Sequence, residues 1–462
     1  MHSSPDLPDI PDDTHYRRAF GAMCDRSVVS AQAAIYAENG NKLLEAGARI
    51  DSALYARLVR HRLSHPIDQQ IGIEGMVTLQ DLEARARALA ERSALVRRMV
   101  QALGSTDPLV VPLRTVPLPG AFALRLTLMR DRYPQLLDLS LKTTMVALYL
   151  GRRAGNGERQ IAALAAAGLL HDLGMLHMDP AWLAPHRTMS AAERRHLRAH
   201  PITGMLLLRE QGGYTPEAVA AVFEHHERLD GSGYPRGLRG GAISPLGQTL
   251  MLAELAAALS AKFGEAAIYR LGLVLRLNQR GLPAAATGEI LALLRDATPV
   301  GAAPEAHAAP QQHFEQLAAA FDRWSELQPP AGGGASAAAT ATPAHAWLSA
   351  RLAGLRRVLT EAGGDPDEPA YLLAQADDED PHHRADADAV GREALWQLGA
   401  ISREALQRWP ALAAGETAEA SDMPSPSLPP GDAAVAAWCG WVLGALPVGP
   451  AVLPSSPTGA DT

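Results

Sequence analysis

Residues 161–170 read Ile-Ala-Ala-Leu-Ala-Ala-Ala-Gly-Leu-Leu, and the chain then turns polar at His171-Asp172. No other stretch constrains the fold as much. An apolar run of this kind is a buried helix, and two polar groups closing it are costly to bury unless something pairs with them. A divalent metal is the obvious partner, since it accepts imidazole nitrogen and carboxylate oxygen together. Composition narrows the donors further: 16 His stand against 2 Cys in 462 residues. Cys24 and Cys439 lie far apart, which excludes a disulfide scaffold and every multi-Cys zinc motif. Any metal must be held by His and carboxylates.

Three further positions carry the same signal. His200 precedes Pro201, which disfavours helical geometry at His200 and sets it at a junction between two helices. His225-His226-Glu227 closes a later helix. Adjacent helical residues point ~100° apart, so both His reach one centre only if the chain unwinds there. Asp230-Gly231-Ser232-Gly233 supplies that unwinding. Glu254 sits among Leu250, Met251, Ala257 and Ala258, an apolar stripe on which a carboxylate should be neutral, paired or metal-bound.

The fold class read from the pattern is mainly α: an all-α bundle preceded by a small α+β module and followed by a linker and short helices. Residues 1–20, with Pro5, Pro8 and Pro11 among four Asp, read as a disordered leader. The module covers 21–115. In it Ala33–Tyr36 and Lys42–Gly47 form a hairpin, followed by helices over 52–61 and 79–103. The all-α domain covers 116–327, with helices over 125–154, 158–174, 190–199, 202–211, 216–226 and 245–261. Ser190-x-x-Glu193 predicts a capping box, and Thr215-Pro216 and Ser244-Pro245 each place a capping hydroxyl before a first-turn Pro. Residues 328–344 form a low-complexity linker and 345–412 a helical region, where His382-His383 read as an exposed loop pair beside an acidic run. Residues 413–462 form a second linker and a terminal apolar helix.

A net charge of −8 argues against coating a nucleic-acid polymer, and only Lys42, Lys142 and Lys262 among 42 basic residues are Lys. The uncharged run 433–453 is long enough to span a bilayer, but Gly440, Gly444, Pro447, Gly449 and Pro450 interrupt it and no basic residue follows. It reads as a docking helix. With no basic opening and apolar stretch to resemble a signal peptide, the expectation is a cytoplasmic protein with no membrane span.

The segment His225-His226-Glu227-Arg228-Leu229-Asp230-Gly231-Ser232-Gly233-Tyr234-Pro235-Arg236-Gly237-Leu238 resembles the signature of the HD-GYP family. His171-Asp172-Leu173-Gly174 is similar to that family's His-Asp step, and His200-Pro201-x-x-Gly204 to its His-Pro motif. Likeness extends over about 124–300. The resemblance implies an HD-type all-α fold and a cytoplasmic bacterial signalling phosphodiesterase that hydrolyses cyclic di-GMP or a related cyclic dinucleotide through metal-bound hydroxide. It implies a di- or tri-nuclear iron or manganese centre, for which this chain is expected to hold one or two divalent ions, Fe or Mn. On that implication Asp172 bridges, His200, His225 and His226 complete one metal site, and His171 with Glu254 serves the other; His171 and Asp172 are the catalytic pair. The loop Asp230, Gly231, Gly233, Tyr234, Pro235 and Arg236 would meet substrate or a signalling protein. The N-terminal module is free to receive a signal or to form a homodimer.

Departures from the family pattern bear on activity. The family has a Lys where this chain has Met175, and a metal-binding His on the preceding helix where counting back through Ala154-Gly155 finds Leu139. No His lies between His65 and His171. Glu254 stands in place of an Asp, and the basic segment after it is reduced to Ser260-Ala261-Lys262-Phe263. Losing such charge stabilisation typically costs ~10²–10³ in rate. The expectation is a weakened phosphodiesterase; the alternative is a catalytically degenerate module acting as nucleotide sensor or protein-interaction platform.

Overall fold

Pro134 splits the longest helix expected from the sequence. In the computed structural model, α6 (Gly120–Arg132) ends at Tyr133 and α7 (Pro134–Arg153) begins with the proline in its first turn. There the missing N–H breaks no intrahelical bond, whereas inside a continuous helix it would. The structure describes residues 14–183, 190–263, 268–278, 281–295, 310–327, 342–361, 381–412 and 428–446. They divide into two compact units, with 14–263 and 281–295 in the first.

The first unit opens with α1 (Thr14–Cys24), so the expected leader stops short of Thr14; residues 1–13 lie outside the described range. Tyr16 and Phe20, one turn apart, are both buried, and that apolar face makes the segment helical despite its acidic approach. Then come β1 (Val29–Ala31), β2 (Ile35–Tyr36), β3 (Lys42–Leu44), α2 (Ser52–Leu58) and β4 (Ile71–Ile73). The expected hairpin is β2–β3, with Ile35 opposite Leu44, while β1 pairs antiparallel with β4, Val29 opposite Ile73.

The predicted helix 79–103 is two, α3 (Leu79–Arg92) and α4 (Ala94–Leu103), because Ser93 leaves helical geometry and its hydroxyl caps α4. After α5 (Asp107–Val110), the helices α6, α7, α8 (Glu158–Leu170), α9 (Ala191–Leu197), α10 (His200–Gln211), α11 (Pro216–Glu224) and α12 (Pro245–Phe263) follow. Of these α7 is central: α8 and α12 pack on it, as do α3, α4 and α5. All three predicted caps form, with Ser190 in a reciprocal box with Glu193, Thr215 on the Ala218 N–H and Ser244 on the Gly247 N–H.

The second unit has its own core. Residues 310–326, included in the all-α domain by the expected boundary at 327, form helix Pro310–Glu326 and belong here, because Phe314, Leu317, Phe321 and Trp324 pack with Leu348, Leu352 and Trp438. Trp438 is fully buried and its indole N–H donates to the Ala320 carbonyl at 2.8 Å. His382 and His383 lie in the first turn of helix Pro381–Arg408, not in a loop. The apolar C-terminal helix runs Pro430–Ala445, and among the described residues no helix is long and apolar enough to cross a membrane. Of the linker expected over 328–344, residues 328–341 lie outside the described residues, while Pro343 and Ala344 already begin helix Pro343–Glu361; residues 413–427 also lie outside them.

Candidate metal centre

Three helix ends deliver three imidazoles in the same way. His171 follows the last residue of α8, His225 follows the last residue of α11, and His200 follows the turn that ends α9. Each ring reaches back to a carbonyl three residues earlier: His171 Nδ1 to Gly168 at 2.8 Å, His200 Nδ1 to Leu197 at 2.8 Å, and His225 Nδ1 to Val222 at 2.6 Å. Carbonyls in the last turn of a helix lack intrahelical donors, so the Nδ1–H satisfies one of them. The same bond fixes the tautomer and leaves the Nε2 lone pair facing away from its helix.

Glycines bring these ends together. A Cβ at Gly174 would overlap the His200 carbonyl, and one at Gly204 would stand 3.2 Å from the His171 carbonyl. The His-Asp and His-Pro segments can approach only because both positions lack a side chain. Gly168 does the same for the helix pair, since its Cβ would fall 2.7 Å from the Thr144 Cα on α7.

All six expected donors converge. The Asp172 carboxylate lies 3.3 Å from His171 Nε2 through one oxygen, and 3.4 and 3.9 Å from His200 and His225 Nε2 through the other. His200 Nε2 is 3.2 Å from His225 Nε2 and 3.1 Å from His226 Nε2. Glu254 Oε2 is 3.3 Å from His226 Nδ1. His225 and His226 both face the centre because α11 stops at Glu224, as the unwinding argument required. Two donor groups result, His200–His225–His226 and His171–Asp172–His225. His225 is common to both groups, and Glu254 stands beside His226 while its charge also acts on His171. Glu254 reaches His226 because it projects from the middle of α12, which packs on α11.

The electrostatics suit a cation. Burial, reinforced by neighbouring imidazoles, holds His225 and His226 well below the ordinary imidazole range, and burial lowers His200 too. His200 and His225 both donate through Nδ1, so their neutral rings, with Nε2 atoms 3.2 Å apart, place lone pair against lone pair. Burial pushes the Asp172 carboxyl up, but His171, His200 and His225 outweigh it and hold Asp172 well below the usual range. His171 is desolvated, yet Asp172 and Glu254 raise it to about 9. Burial, then the Asp172 charge, lifts Glu254 to about 7. His171 Nε2 and Glu254 Oε2 are buried without an aligned hydrogen-bond partner. Such atoms cost free energy unless something else satisfies them, and one or two divalent ions would. The donor set fits the group that the sequence implied.

The loop after His226 is built on carboxylates that sequence reading did not single out. Glu227 is fully buried and accepts from the Arg236 and Leu238 backbone N–H groups, each at 2.8 Å. Glu224 accepts from the Arg236 guanidinium at 3.1 Å and the Ser244 N–H at 2.8 Å. Asp230 closes an Asx turn on Ser232, helped by Gly231 at φ +83°, and Gly233 lies against the Glu227 backbone. Arg236, expected to meet substrate or partner, is tied to Glu224 and stacks on Phe223. Within this loop Tyr234 reaches the centre, its ring stacked on His226 at 4.6 Å; Pro235 follows it through a cis peptide. Leu139 on α7 and Met175 after Asp172 are half-buried and bring no donor. The carboxylates could have been suspected from their place three residues apart at the end of an apolar helix.

Comparison with known proteins follows the same residues. Residues 125–272 match the HD domain family. The chain is similar to the 3'3'-cGAMP-specific phosphodiesterase 3 of Vibrio cholerae, 34% identical over 135 residues, 29% of each chain. It is similar also to the cyclic di-GMP phosphodiesterase response regulator RpfG of Xanthomonas campestris, 31% identical over 115 residues, 25% of this chain and 30% of that one. The matched segments thus span less than a third of either relative. A solved structure, the HDG"Y"P protein Bd1817 of Bdellovibrio bacteriovorus, aligns with a TM-score of 0.33 at 14% identity, over 58% of this chain and 95% of that one.

Proposed function

The chain belongs to the HD-GYP family, and from that premise we propose that it is a metal-dependent phosphodiesterase acting on a cyclic dinucleotide such as cyclic di-GMP or 3'3'-cGAMP. The observation that carries the reading is the convergence of His171, Asp172, His200, His225, His226 and Glu254, with His171 Nε2 and Glu254 Oε2 buried and unsatisfied. Bound there, one or two divalent cations, Fe or Mn, would activate water and neutralise charge on the phosphoryl oxygens. Everything else falls to the chain. The Nδ1–H bonds of His171, His200 and His225 lock each ring so that no reorganisation is needed. Asp172 stays ionised between the two imidazole groups, and Tyr234 walls the His226 side.

Leu139 and Met175 favour a second reading, a module that binds metal and nucleotide and acts as a sensor or a platform for a signalling protein through the Tyr234 loop. Metal content measured with turnover of both cyclic dinucleotides, under anaerobic Mn-supplemented conditions, separates the two. Hydrolysis by wild type supports the enzyme. Bound metal without turnover, in wild type and in a Leu139→His, Met175→Lys double variant alike, would overturn it.

A further inference from the structure

Arg198 follows α9, two residues before His200. Its guanidinium carbon lies 5.5 Å from the centroid of the Tyr234 ring, over its face. Tyr234 stacks in turn on His226, with interplanar angle 24°. Cation, phenol ring and donor imidazole thus form one column running from the surface into the centre. Neighbouring cations are committed elsewhere: Arg236 to the Glu224 carboxylate and Arg228 to the Glu227 carbonyl. Among the described residues the exposed Arg198 guanidinium has no hydrogen bond and no carboxylate, only the ring.

We propose that Arg198, held over Tyr234 at the mouth of the centre, receives the phosphate of an anionic ligand. The assignment rests on reading the site as a phosphoester-binding metal centre. Stacking on an aromatic face leaves the planar N–H fork of a guanidinium available, and that fork matches two phosphate oxygens. The ring also limits the rotamers of a long side chain, so less freedom is lost when the anion arrives.

The test uses the full chain loaded with Mn²⁺, titrated calorimetrically with inorganic phosphate and, separately, with cyclic di-GMP. Arg198→Met should bind phosphate roughly tenfold more weakly, the usual effect of one charge-assisted hydrogen bond. Arg198→Lys should recover part of the loss, since it restores charge without the fork. Mn content should be equal in all three proteins. Equal phosphate affinity in wild type and Arg198→Met, no phosphate binding by wild type, or loss of Mn from Arg198→Met would each overturn the assignment. A wild type that binds phosphate through Arg198 but neither binds nor cleaves cyclic di-GMP would count against the proposed substrate and leave Arg198 in place.

Discussion

Gly174 lies against the carbonyl of His200 so closely that no side chain fits between them. This contact joins the segment carrying His171 and Asp172 to the helix that begins at His200, and it sets the spacing of the donors across the centre.

Gly174→Ala should therefore force the two backbones apart. Overpacking of this kind costs ~1–3 kcal/mol, and the donors on either side should separate with it. Thermal unfolding and Mn content should both fall. The control is Gly288→Ala, an exposed helical position where a Cβ meets nothing within 4 Å. That change should be neutral or stabilising by ~0.5–1 kcal/mol. Equal behaviour of the two variants would refute the spacing argument.

His225 belongs to both donor groups. His225→Ala should reduce metal retention more than His171→Ala or His226→Ala, each of which touches one group. The loss should exceed the ~10–100-fold that removal of an outer hydrogen-bond partner costs. Competition with a chelator measures it, and a ranking with His225→Ala mildest contradicts the shared position.

Glu227 holds the Tyr234 loop through two backbone N–H groups. Glu227→Gln keeps the shape but turns one acceptor into a donor, leaving a buried N–H unsatisfied at ~1–3 kcal/mol. The Arg236 and Leu238 amides should exchange faster with solvent, while those of α3 should not change.

The metal-free protein should be most stable near neutral pH. His200, His225 and His226 are lowered by burial, so below their unfolded value of ~6.5 the unfolded chain binds more protons and stability falls. Glu254, raised to about 7, and His171, raised to about 9, work the other way. Their contributions are complete below their unfolded values and disappear as pH rises through about 7 and about 9. Melting temperatures after chelation should decline from neutrality toward both pH 5 and pH 9; a flat profile over that range would exclude these shifts.

Met175→Lys tests whether a second cation is needed. With Arg198 already meeting the phosphate, the added lysine should change kcat/KM for a cyclic dinucleotide by less than ~10-fold, well short of the ~10²–10³ that one missing stabilising group costs. Steady-state kinetics decides it, and a rise of ~10² or more shows that the phosphate lacks a cation in wild type.

Much of this was legible in the sequence because it is local. The hydroxyl caps at Ser190, Thr215 and Ser244 act within three residues, so each could be read in place and each formed. Pro134 and Ser93 act as locally, yet the apolar pattern continues across both and hides the breaks. Helix α1 was obscured differently, since Tyr16 and Phe20 count as a core face only when there is a core to meet. Helix Pro310–Glu326 is absent from the sequence expectations, and its apolar residues Phe314, Leu317 and Phe321 show their partners only in the folded unit.

The sequence by itself determined which side chains break apolar runs, and hence that His171, Asp172, His200, His225, His226 and Glu254 needed partners. It determined also that His225 and His226 sit where the helix must stop. Only the tertiary structure decided how those donors divide. Glu254 stands beside His226, His225 serves both groups, Arg236 turns to Glu224 and Arg198 stacks on Tyr234. The reason is physical. Desolvation cost and helix breaking follow from a residue and its neighbours in the chain, whereas distances between donors depend on how α8, α10, α11 and α12 approach. That approach is set by contacts such as Gly174 on His200, between residues far apart in sequence.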